Sequence, residues 1–143
     1  MADTTDAPSR VLAASGAVLI GISLLVGALA GLAMTDKIDA DGPTILAAHV
    51  AGLMGAFMMF GLGWSLPMVS LSAAGKARLA WLVIVPNFAN LTLTVVKGFL
   101  RVHALDFGPT GADSAIFVAL NILVVLPILA ASAAWAWGLL RKA

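Results

Sequence analysis

Four long apolar runs, each separated from the next by a short charged or turn-rich stretch, dictate what this chain can become. A helix needs about 20 apolar residues to cross the hydrocarbon core, because each residue rises only about 1.5 Å. Val11–Met34 meets that length without an ionisable residue, and Ile45–Leu66, Leu79–Leu100 and Ser114–Leu140 supply three more spans. Between them lie TDKIDADGPT (35–44), a short polar turn Ser72–Arg78, and the turn-rich loop Arg101–Gly111. Pro67 closes the second span. Lipid offers no partner to open backbone groups, so a spanning run must be a helix or part of a closed barrel. No alternation of period two competes with these runs. The sequence therefore predicts an all-α chain, a single four-transmembrane-helix domain over residues 1–143.

Composition excludes several kinds of chemistry. Only 10% of the residues are charged, against about 25% in a soluble domain. The formal net charge is +1, and the basic residues sit at helix ends, so nucleic acid is not an expected partner. There is no cysteine, which rules out disulfides, thiolate metal sites and cysteine nucleophiles, and no tyrosine to act as a phenolic acid or base. Residues 1–10 carry Asp3 and Asp6 and lack a basic n-region, so the first helix is expected to be retained rather than cleaved. With both termini in the cytoplasm, that side holds Arg10, Lys76, Arg78, Arg141 and Lys142, whereas the other holds Lys37, Lys97 and Arg101. The positive-inside rule then predicts an integral membrane protein with both termini in the cytoplasm.

Polar residues within a span are costly and mark candidate sites. The first helix has only Ser15 and Ser23 with a Gly27-x-x-x-Gly31 pair, which reads as a packing surface without chemistry. The second carries His49, one turn in from its outer end, on a stripe with Gly52, Leu53, Ala56 and Gly63. Small residues beside a histidine allow two readings. Another helix packs there, with the imidazole bonded to it, or a flat group lies against the backbone with its iron on the imidazole.

The third helix carries a polar stripe, Pro86, Asn87, Asn90, Thr94, Lys97 and Arg101, running from mid-membrane to the outer surface. Such a stripe must face the bundle or a neighbouring subunit. It links helices or lines a cavity, and Lys97 with Arg101 suits the carboxylates of a bound cofactor in the leaflet that holds His49. In the fourth helix Asp113 or Ser114 reads as an N-cap, and Trp135, Trp137 and, on helix two, Trp64 read as interfacial aromatics. His103 lies in the outer loop.

The stretch from Ala48 through Leu140 resembles the small haem-containing membrane isomerases, styrene oxide isomerase and its relative hydroxylaminobenzene mutase. The shared pattern is Ala48-His49 followed by GLMGAFMMFGLGWSLP, then Ser72, Ala77-Arg78, Ala89-Asn90, Phe107-Gly108-Pro109, Asp113 and Ile116-Phe117. The resemblance implies a homotrimer of four-helix subunits holding haem b near the interfaces between protomers, with His49 as the axial iron ligand. It further implies that ferric iron acts as a Lewis acid towards an apolar, aromatic epoxide, which rearranges to an aldehyde. Gly52 then falls beside the cofactor, Asn90 and Thr94 orient the substrate or the adjoining subunit, and Lys97 and Arg101 meet the haem propionates.

Two positions depart from the family pattern. An asparagine usual six residues after the histidine is Gly55 here, and a tyrosine one turn beyond the Ala-Asn pair is Thr94. Both changes are expected to enlarge the pocket and alter how a substrate oxygen is held. The alternatives are a hydroxylaminobenzene mutase-like isomerase, and a non-enzymatic haem-binding sensor or electron carrier using His103 or Met54 as second ligand. A small multidrug-type transporter ranks last, because no carboxylate lies within the first three spans.

Overall fold

The computed structural model describes residues 7–103 and 111–141. It is helical, with four helices long and apolar enough to cross a membrane and no strand among the described residues. We label them α1 (Ala7–Met34), α2 (Gly42–Ser65), α3 (Ala73–Leu100) and α4 (Gly111–Leu140). A 3-10 turn, Leu66–Met68, follows α2 where Pro67 cannot continue the helix. The loop motif Phe107-Gly108-Pro109 and Lys142 lie outside the described residues.

The helices end where hydropathy places their ends, but they begin earlier. Asp41 caps α2, its carboxylate accepting the Thr44 N–H at 3.2 Å. Ser72 caps α3, its Oγ accepting the Gly75 N–H at 3.2 Å. The expected polar turn Ser72–Arg78 is thus a cap followed by the first turns of α3. These turns carry Lys76 and Arg78, which is why hydropathy alone leaves them out of the span. Hydropathy reports the membrane crossing, whereas the caps report the helix.

Two seams fix the register. Gly63 faces Leu12 and the Ser9 carbonyl, Gly16 faces Phe60, and Gly52 faces Ser23, so α1 and α2 run antiparallel with side-chain-free contacts at each crossing. Between α2 and α3, Gly98 faces Ile45, Gly52 faces Leu91 and Gly55 faces Asn87. Leu12, Leu19, Ile45, Met59, Leu62 and Val83 fill the space between these helices without exposure. Leu25, Leu129 and Leu140 stay largely exposed, as a lipid-solvated surface allows.

Helix α4 is covered least, with 11% of its most apolar stretch buried against 28–39% for the others. Its residues Asn121–Val125 form a wider π-type turn in which the Leu126 N–H donates to the Asn121 carbonyl five residues back. Pro127, which has no N–H and crowds the carbonyl four residues before it, explains the wide turn. The Trp135 Nε1–H donates to Ser65 Oγ at 3.0 Å. Trp135 thus braces α4 against α2. Trp137 and Trp64 do stand exposed, the former beneath the Arg141 guanidinium at 5.7 Å.

Candidate functional site

The site begins with a missing side chain on α1. A Cβ at Gly27 would stand 2.8 Å from His49 Nδ1 and 2.9 Å from its Cε1, so the imidazole lies directly on the glycine backbone. There Nδ1 is 2.6 Å from the carbonyl oxygen of Ser23. A carbonyl only accepts, so Nδ1 carries the proton in the neutral ring, and the lone pair resides on Nε2. Nε2 has no hydrogen-bond partner among the described residues. Ser23 is itself fully buried, its Oγ donating to the Leu19 carbonyl at 2.7 Å. A backbone acceptor that fixes ring orientation and tautomer is the usual second partner of a metal-binding histidine.

This arrangement revises the reading of α1. Gly27 is not a generic packing residue but the seat of the imidazole, whereas a Cβ at Gly31 would meet nothing within 4 Å. Gly52 is buried, and a Cβ there would meet Ser23 Oγ at 2.0 Å and Leu91 Cδ1 at 3.1 Å. Of the two readings open for the small-residue stripe, helix packing is therefore the one realised at Gly52.

Across the α2–α3 seam the register set by Ile45–Gly98 and Gly52–Leu91 puts Thr94 level with His49. Thr94 Oγ1 donates to Asn90 Oδ1 at 3.4 Å, a long bond between two half-buried side chains. No hydrogen bond joins either of them to His49 among the described residues. Asn87 behaves differently from the rest of the stripe. It is buried, donates through Nδ2 to the Val83 carbonyl at 2.7 Å, and places Oδ1 2.3 Å from where a Cβ of residue 55 would be. The extra room expected from Gly55 is thus not empty. An amide occupies it, delivered by α3 instead of α2.

The two cations at the outer end differ. Arg101 closes α3 in a left-handed conformation and pairs with Asp39 of the α1–α2 loop. Lys97 is half-buried and forms no ion pair among the described residues. His103 is exposed and held by its backbone N–H, which donates to Asp113 Oδ1 at 3.1 Å. Asp113 lies inside the first turn of α4 and accepts the His103 N–H, so neither it nor Ser114 is the helix N-cap expected from sequence.

No three His, Cys, Asp or Glu side chains converge on a metal position among the described residues. The donor set fits haem: one neutral imidazole with its tautomer fixed, in an apolar setting.

A four-helix membrane protein with one backbone-seated imidazole is the class that fold and site define. A family model described as styrene oxide isomerase matches residues 8–140. The chain belongs to the styrene oxide isomerase family. No curated protein gives a significant match.

Proposed function

We propose that this protein is a haem b-dependent membrane isomerase that rearranges an apolar aromatic epoxide to the corresponding aldehyde. The observation that carries the proposal is the His49–Ser23 contact, which leaves Nε2, unpartnered among the described residues, with its lone pair open within a spanning helix. When bound, ferric haem supplies a Lewis acid for opening of the epoxide C–O bond. The rearrangement is an isomerisation and needs no electron, water or second substrate.

The chain's own residues then have distinct tasks. His49 binds the iron through Nε2, and Ser23 with Gly27 holds the ring. Asn90 engages Thr94 through Oδ1, so its Nδ2 donors remain available to orient a substrate oxygen. Lys97 is the better partner for a haem propionate, because Arg101 already holds Asp39. An apolar setting would keep water from the cationic carbon that ring opening creates. The half-buried Asn90 and Thr94 and the thinly covered α4 suit a homotrimer, in which neighbouring copies shield polarity from lipid. The excess of basic residues at the end that carries the termini supports a cytoplasmic position for both.

The test is to incubate the haem-loaded protein with styrene oxide and phenylhydroxylamine in parallel. Aldehyde from styrene oxide, abolished in His49→Ala, is expected. Rearrangement of phenylhydroxylamine alone would reassign the substrate class, and turnover of neither would overturn the proposal.

A further inference from the structure

A groove of about 570 Å³ runs between α3 and α4, in the half of the molecule opposite His49. Its floor is made where both helices lose regular hydrogen bonding. Pro86 of α3 and Pro127 of α4 both line it, and Leu123 lies in the wide turn that Pro127 imposes. A proline ring is short and cannot fill the space its helix distortion opens. Trp81 and Val85 complete the apolar wall, and the single charged residue, Arg78, stands at one end.

The dimensions match one leaflet. From Ala77 to Pro86 a helix rises roughly 13 Å, close to half of a hydrocarbon core about 30 Å thick. Arg78 is at the end that carries both chain termini, where a headgroup would lie, and the half-exposed Trp81 follows one turn along α3. Arg78 forms no ion pair among the described residues, whereas its neighbour Lys76 is turned to the Pro67 carbonyl at 3.5 Å.

We infer that this groove holds one acyl chain of an anionic phospholipid, its phosphate on Arg78. A neutral aromatic epoxide makes no use of a guanidinium at the mouth. The acids among the described residues, Asp36, Asp39, Asp41 and Asp113, all lie at the opposite end of the helices. An anionic headgroup above an apolar tail matches both features of the groove, and the cytoplasmic leaflet is the anionic one.

Trp81 provides the readout. In a variant with Trp64, Trp135 and Trp137 replaced by phenylalanine, Trp81 fluorescence is measured in bilayers containing phosphatidylglycerol or phosphatidylcholine with brominated acyl chains. Brominated phosphatidylglycerol should quench with about fivefold higher apparent affinity, the effect of one basic residue near the surface. Arg78→Gln should remove that preference, and Leu123→Trp, read in the otherwise unaltered protein by mass spectrometry of retained lipid, should lower bound phosphatidylglycerol. Equal quenching by the two lipids, a preference that survives Arg78→Gln, or a Trp81 shielded from both lipids by a second copy would overturn the inference.

Discussion

His49 on α2 and Gly27 on α1 form a complementary pair: the imidazole occupies the volume that any Cβ at residue 27 would take. The contact ties the candidate iron ligand to a helix that has no ionisable residue over its apolar length, and it makes α1 part of the site.

Gly27→Ala puts a carbon 2.8 Å from Nδ1. The ring must rotate off the Ser23 carbonyl or the helices must part, at a cost of about 1–3 kcal/mol. Haem content of the purified variant should fall to a minor fraction of that of the unaltered protein. Gly31→Ala, four residues along the same helix with open space around it, should retain both stability and haem. Equal behaviour of the two variants would show that the seat is unimportant.

Gly55 and Asn87 should be energetically coupled. Gly55→Ala alone drives a Cβ into Asn87 Oδ1 and should destabilise the protein. Combined with Asn87→Ala, the same change should be tolerated, with a coupling of about 0.5–3 kcal/mol in a double-mutant cycle. Unfolding in mixed detergent micelles measures it. Strict additivity would contradict the contact.

Trp135→Phe removes the donor to Ser65 and should cost about 1 kcal/mol. Trp137→Phe leaves an exposed ring position and should stay within about 0.5 kcal/mol of the unaltered protein. The same micelle unfolding separates them, and a larger loss at Trp137 would reverse the assignment of brace and interfacial residue.

Lys97→Ala should weaken haem retention several-fold, whereas Arg101→Ala should chiefly release the Asp39 loop, an exposed pair worth roughly 0–1 kcal/mol. Haem dissociation to an excess of apomyoglobin measures the difference. Faster loss from Arg101→Ala than from Lys97→Ala would move the propionate contact to the arginine.

Much of the architecture was legible because hydrophobic length alone decides a membrane crossing. Met34, Leu100 and Leu140 end their helices as hydropathy implies. The N-terminal turns at Pro43 and at Ala73–Arg78 were not, because capped polar helix looks like a turn to a hydropathy argument. His49 stood out as an ionisable residue in a span, and the family resemblance gave it a role.

Its seat was illegible, since Gly27 and Ser23 lie more than twenty residues away and only the α1–α2 register brings them to the ring. The same holds for Asn87. It shares its stripe with Asn90 and Thr94, yet it turns inward because Gly55 leaves room for it. The wide turn before Pro127 went unanticipated, because a proline within an apolar run signals distortion without stating its form.

The central claim is that His49 Nε2 binds haem iron, and the absorption spectrum of protein purified from haem-replete cells tests it most directly. The account predicts a Soret band that is lost in His49→Ala and retained in His103→Ala. Stable, folded and colourless unaltered protein, or a Soret band undiminished in His49→Ala, would contradict it.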